Sequence, residues 1–158
     1  MKAIYAGTFD PPTKGHQWMI ARGLELFESL AVAIGRNPEK QCLFGLEERK
    51  KMLTMINTSE RVRIWDFDGF LIHFAREQKA QAILRGIRSV TDYEYERTMR
   101  HINEDIAPGI TTVFLMPPRE IAEVSSSMVK GLVGPEGWEE LVAKYVDPYV
   151  LRRLKEKA

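Results

Sequence analysis

Short apolar runs alternate along the chain with longer stretches in which apolar positions recur every three or four residues. The short runs predict strands at residues 3–6, 30–34, 62–67, 82–86 and 111–116. The longer stretches predict helices between them. Residues 15–29 place Met19, Ile20, Leu24 and Phe27 on one face, and residues 46–56 carry a Leu46, Leu53, Ile56 stripe with charges opposite. Residues 71–79 and 92–103 give two further helices. The end of the chain reads as helical in three pieces, 126–132, 137–145 and a last one opening at Asp147-Pro148. There the aspartate suits a cap and the proline a first helical position.

Strands separated by helices argue for a parallel sheet covered on both faces. The fold expected is α/β: a Rossmann-like five-stranded parallel sheet in a single domain over residues 1–158. In such sheets ligands bind beyond the carboxyl ends of the strands, near the point where strand order reverses. The segments to inspect are therefore 7–16, 35–44, 66–70, 85–92 and 116–127.

Composition narrows the choice. Of 158 residues, 44% are hydrophobic and 28% charged, an ordinary globular balance. With 23 basic and 22 acidic side chains the net charge is +1, so nucleic acid is not an expected partner. The one cysteine, Cys42, excludes an internal disulfide and a cysteine-built zinc site. No apolar run approaches the ~18 residues of a membrane span, and the N-terminal run is too short for a signal peptide. The expectation is a cytoplasmic protein without membrane attachment. Asp66 and Asp68 read as a strand-end turn, and no dedicated metal site is expected. His73 and His101 read as helix-face or core histidines. Trp18, Trp65 and Trp138 read as packing residues.

Three of the inspected segments carry unusual chemistry. Gly7-Thr8-Phe9-Asp10-Pro11-Pro12-Thr13-Lys14-Gly15-His16 follows the first strand and opens the first helix. Gly7 permits close backbone approach, Thr8 offers a hydroxyl, and free N–H groups at the helix start favour an anion. His16 stands beside that anion and can donate to a phosphate oxygen as an imidazolium or as an N–H tautomer. Arg85-Gly86-Ile87-Arg88 follows the fourth strand with two guanidinium forks suited to phosphate. Its plainer alternative is a surface pair bonded to Asp92 or Glu94. Val124-Ser125-Ser126-Ser127-Met128-Val129-Lys130 offers hydroxyls ahead of a helix, which also fits an ordinary cap.

Taken together these segments resemble bacterial phosphopantetheine adenylyltransferases, within the nucleotidyltransferase superfamily. The first matches the form G-[ST]-F-D-P-x-[HT]-x-G-H. Thr13 stands where cytidylyltransferases and nicotinate mononucleotide adenylyltransferases typically carry histidine and this family carries threonine. Residues 85–96 match R-G-[LI]-R-x-x-x-D-[FY]-E-Y-E, and the serine segment is similar to I-S-S-[ST]-x-[LIV]-[KR], with Val124 in the first place. The resemblance runs over roughly residues 2–133. It departs at Gln41-Cys42, where Lys-Pro is common, and at Ile121, where an aromatic is common.

The resemblance implies adenylyl transfer from ATP to 4′-phosphopantetheine by direct attack of the acceptor phosphate, with His16, Lys40, Thr8 and Arg88 as the catalytic set. It implies an ATP site bordered by Thr8, Phe9, His16, Gly86, Ile87, Arg88, Glu96, Ile121, Ala122, Glu123, Val124, Ser125, Ser126 and Ser127. The acceptor site implied is bordered by Thr8, Lys40, Ile72, Arg85, Met99 and Asn103, with Leu71, Ile72 and Phe74 expected near the cleft mouth. Magnesium would accompany the triphosphate. Coenzyme A is implied as a feedback inhibitor and a homohexamer as the assembly.

Overall fold

The structure is a computed structural model and describes residues 1–36 and 41–158. Five strands form one all-parallel sheet: β1 (Lys2–Gly7), β2 (Ser29–Gly35), β3 (Val62–Phe67), β4 (Ala82–Gly86) and β5 (Thr111–Leu115), in the order β3-β2-β1-β4-β5. The chain starts in the middle, winds outward through β2 and β3, then returns to the other side of β1. The switch point therefore lies between the ends of β1 and β4.

Alternation along the strands builds two apolar layers. Ala3 and Tyr5 of β1, Leu30, Val32 and Ile34 of β2, and Leu84 of β4 pack on one face, against Met19, Ile20 and Phe27 and against Leu53. Those partners come from helix α1 (Lys14–Leu26), with Phe27 as its C-cap, and from α2 (Leu46–Ile56). Ile4, Ala6, Ala31, Ala33 and Ile83 point the other way, against Ile72, Phe74 and Ala75 of α3 (Leu71–Glu77) and Ala107 behind α4 (Val90–Ile106). The expectation of helices on both faces is met.

A third cluster lies beneath α2. Phe44 and Met52 pack there with Val129 of α6 (Ser126–Leu132), Trp138 and Val142 of α7 (Trp138–Val142), Val146, and Val150 and Leu154 of α8 (Pro148–Lys157). This C-terminal layer also reaches the start of α1. The Lys14 amide donates to the Tyr145 carbonyl at 2.8 Å, and Lys14 Nζ to the Ala143 carbonyl at 3.3 Å.

Several predicted boundaries shift for local reasons. The first helix stops at Leu26 because Ser29 is already paired with Lys2 in the sheet. The fourth begins at Val90, since the Ser89 side chain caps it by accepting from the Asp92 amide at 3.1 Å. The third ends at Glu77, and Lys79 then turns into the left-handed region at φ 52°. Met116 lies beyond β5, ahead of the two prolines, and is exposed. The piece predicted at 137–145 is helical only over Trp138–Val142. A single turn, α5 (Arg119–Ala122), was not expected from the pattern.

Of the tryptophans, Trp138 is buried, Trp18 is half-buried on the first cluster, and Trp65 on edge strand β3 packs edge-on against Phe74 while remaining part exposed. His73 and His101 sit exposed on helix faces.

Candidate active site

The turn after β1 is built around an aromatic plug. Phe9 adopts a left-handed backbone conformation, φ 51°, which turns its ring inward until only 1% is exposed. The ring meets Tyr5 edge-on, with centroids 5.5 Å apart, and His16 at 4.8 Å. Gly7 makes room for it, because a Cβ there would lie 3.1 Å from Phe9 Cζ.

Thr13 caps α1, and His16 returns the favour. The Thr13 amide donates to His16 Nδ1 at 2.9 Å, while the His16 amide donates to Thr13 Oγ1 at 3.4 Å. A backbone N–H can only donate, so Nδ1 must accept and the neutral ring carries its proton on Nε2. Burial, together with the nearby charge of Arg88, pushes the His16 pKa down to about 4. Of the two forms open to the sequence, the structure selects the neutral donor over the imidazolium.

Two cavities meet at the switch point. One, of about 200 Å³, is lined by Thr13, Gly15, His16, Gly86 and Arg88 on one side and by Ile121, Val124, Ser125 and Ser126 on the other. The second, of about 330 Å³, is lined by Thr8, Arg36, Phe70, Leu71, Arg85, Glu96, Met99 and Asn103 among others. Ala6 and Arg85 border both.

Arg85 is held in place between them. Its Nε donates to Glu96 Oε1 at 2.9 Å, its NH2 bonds the same oxygen, and NH1 donates to the Ala6 carbonyl at 3.1 Å. Burial opposes its charge, but the hydrogen bond and charge of Glu96 raise its pKa above the ordinary arginine value.

A cytidylyltransferase-like family model matches residues 4–132. A phosphopantetheine adenylyltransferase of Neisseria meningitidis is 57% identical to this chain, covering 97% of it and 91% of the relative. One from Chromobacterium violaceum is 51% identical, covering 97% and 94%. The chain belongs to the phosphopantetheine adenylyltransferase family. As a member it is an enzyme, an adenylyltransferase of coenzyme A biosynthesis. A solved structure of Plasmodium falciparum nicotinic acid mononucleotide adenylyltransferase complexed with NaAD superposes with a TM-score of 0.70 over 98% of this chain and 94% of that one. At 17% identity this likeness shows the shared fold alone.

Within this adenylyltransferase, the residues singled out in the sequence fall into three groups. Thr8, His16, Arg85, Gly86, Arg88, Glu96, Met99, Asn103, Ile121, Val124, Ser125 and Ser126 line the two cavities. Ser127 lines an adjoining one with Thr8, Phe9, His16, Cys42 and Lys130. Glu96 lines the larger cavity, where it accepts from Arg85.

A second group lies off these cavities, part of it drawn into the interior. Ile72 and Phe74, expected near the cleft mouth, are buried beneath the sheet, while Leu71, also expected there, lines the larger cavity beside Phe70. Ile87 is buried, and its amide donates to the Leu115 carbonyl at 2.9 Å. Ala122 and Glu123, at the end of α5, line none of these three cavities. The third group is Lys40, with Pro38 and Glu39, which lies outside the described residues.

The plainer alternative for the arginines is partly present. Arg88 Nε donates to Asp92 Oδ2 at 3.3 Å, yet Arg88 still lines the smaller cavity. Asp66 bonds Lys50 at 2.8 Å and pairs with Arg36, which also pairs with Asp68. Among the described residues no group of three His, Cys, Asp or Glu side chains could hold a metal ion.

Two charged residues were passed over at sequence level. Asp10 is 2% and Arg49 7% exposed, and both stitch the turn after β1 to the segment preceding α2. Asp10 sat inside the first motif but read only as part of a turn. Buried charge is not visible in a linear pattern.

Proposed function

We propose that the enzyme transfers the adenylyl group of ATP to 4′-phosphopantetheine, yielding dephospho-coenzyme A and pyrophosphate, in the cytoplasm. The observation that carries this reading is the pair of cavities sharing Arg85 and Ala6 at the switch point. A two-substrate transfer needs two sites whose reacting ends meet.

On this reading the smaller cavity takes ATP, with its phosphates toward His16, Arg88 and the hydroxyls of Ser125 to Ser127. Ile121 and Val124 offer an apolar wall to the purine. The larger cavity takes the acceptor, with its phosphate toward Thr8 and Arg85 and the uncharged arm along Phe70, Leu71 and Met99.

A phosphate monoester has a second pKa of ~6, so it is largely a dianion at neutral pH and requires no general base. Its oxygen attacks the α-phosphorus, a P–O bond forms, and the bond to the departing pyrophosphate breaks. The protein's part is to align two anions and to meet charge that builds on the α-phosphate. His16 does this as a neutral Nε2–H donor. Lys40 and Thr8 complete the catalytic set with Arg88.

Magnesium arrives as part of the nucleotide substrate. A lining of cations, hydroxyls and amides fits an ion bound chiefly by phosphate oxygens and water, as magnesium prefers. Coenzyme A, which shares chemistry with both substrates, is the proposed feedback inhibitor. The assembly proposed is a homohexamer. Exposed Val90, Tyr93 and Met116 around an apolar hollow with Phe114 support self-association.

The test is competition. Purified enzyme with ATP and magnesium receives 4′-phosphopantetheine, nicotinate mononucleotide and glycerol 3-phosphate at equal concentration, and products are identified by mass. Dephospho-coenzyme A should dominate. Dominance of a dinucleotide or glycerol product would sink the acceptor assignment.

A further inference from the structure

A buried carboxylate is retained only where it is paired and fully bonded, and Asp10 meets both conditions. Its Oδ1 accepts from the Phe44 amide at 2.9 Å. Its Oδ2 accepts from the Leu43 amide at 2.9 Å and from Lys130 Nζ at 2.8 Å. Arg49 closes the same joint from the other side, donating through Nε to the Phe44 carbonyl at 3.0 Å and through NH1 to the Thr8 carbonyl at 2.8 Å. The segment that follows residues 37–40 is thus fastened by its amides and a carbonyl to the turn that carries Thr8.

We propose that Asp10 is a positioning residue for adenylyl transfer: paired with Lys130, its carboxylate holds the segment after residues 37–40, the turn of Thr8 and helix α6 in fixed register around the reacting phosphates. This rests on the reading of the cleft as the adenylyl-transfer site. Each bond ends on a segment that walls the cavity of about 340 Å³ lined by Thr8, His16, Gln41, Ser127 and Lys130. Stability alone does not call for such an arrangement, because well-packed apolar residues often serve as well as a buried ion pair. The directional bonds supply what apolar packing lacks, a single register between three segments. Burial by itself would raise the Asp10 pKa, but Lys130 and the two amides hold it below the usual carboxylate range. The carboxylate is therefore charged wherever the enzyme works.

Asp10→Asn keeps the shape and spoils the bonding. Whichever way the amide is turned, its NH2 confronts a backbone N–H. Amide hydrogen exchange at Leu43 and Phe44 should quicken. Turnover per nucleotide-binding site should fall by roughly 10²-fold, the cost of about 1 Å of misplacement. KM for both substrates should change by less than about threefold, as when only a transition-state alignment is lost.

A merely structural role would lower the melting temperature and the number of sites, but not turnover per site. Lys130→Met should slow turnover less than Asp10→Asn, and Lys130→Arg should restore it. That pair carries the test if Asp10→Asn does not fold. Unchanged exchange at Leu43 and Phe44 overturns the proposal, as does turnover per site within about twofold of the unsubstituted enzyme in both Asp10→Asn and Lys130→Met. If the unsubstituted enzyme fails to use 4′-phosphopantetheine, the acceptor reading falls, and the same comparison of turnover per site with the acceptor it does adenylylate decides the role of Asp10.

Discussion

His16 is set by its neighbours more than by its type. The Thr13 amide fixes the tautomer, the Phe9 ring supports the imidazole, and burial together with the charge of Arg88 discourages a second proton. With a pKa near 4, the ring should show no protonation in an NMR titration between about pH 5 and 8, and its nitrogen shifts should report a proton on Nε2. An imidazolium signal near pH 6.5 would contradict this. The sign for stability follows. The unfolded histidine takes up its proton near pH 6.5 and the folded one only near 4, so the folded state loses stability as pH falls through that window. Turnover against the acceptor should decline already below about pH 6, because the attacking phosphate monoester is then protonated. His16→Ala should lower kcat by roughly 10²–10³, the usual cost of removing one such donor, with ATP affinity changing far less; stopped-flow turnover beside equilibrium binding reads both. Arg88→Lys should weaken ATP binding, since a point charge loses the paired donors of the fork. Unchanged affinity by calorimetry would leave Arg88 as a surface partner of Asp92 alone.

Helix α1 approaches the sheet closely at one point. A Cβ on Gly23 would sit 3.0 Å from a Leu84 methyl and 3.1 Å from one of Leu30. Gly23→Ala should therefore cost about 1–3 kcal/mol of stability, the range for overpacking a filled core, measurable in a denaturant titration. Elements of this kind were the legible part of the sequence. Helix α2 and strand β3 fall where the pattern placed them, because each has a clean period and a clear stop. Helix α4 was drawn too short because its start depends on the Ser89 hydroxyl turning back to cap it, a choice made in three dimensions. The lining of the cleft was legible where a residue's place follows from a strand end, as for Thr8, Arg85 and Gly86. It was not legible where burial decides, as for Ile72, Phe74 and Asp10, since a linear motif shows spacing but not which side chains the sheet covers.

Over the whole molecule, α4 keeps most of its surface outside the core, which it meets at Ile106. Of its 17 residues only Glu96 is buried, while Tyr93, Tyr95 and Ile102 are exposed. If the proposed hexamer forms, sedimentation should find a species near six times the 18.2 kDa chain mass, and a monomer at micromolar concentration would remove it. The tie between Lys14 and the Ala143 and Tyr145 carbonyls has a different reach. It closes the entrance of α1 with residues that lie 129 and 131 positions further along the chain. A polypeptide is made in one direction and its early parts begin to fold as they emerge. The sheet can assemble first, but the entrance of α1 is braced only after residues 143 to 145 have been made. A ribosome-tethered nascent chain that stops short of residue 143 should bind ATP far more weakly than the released protein, so that the newborn enzyme stays silent until that brace has been made.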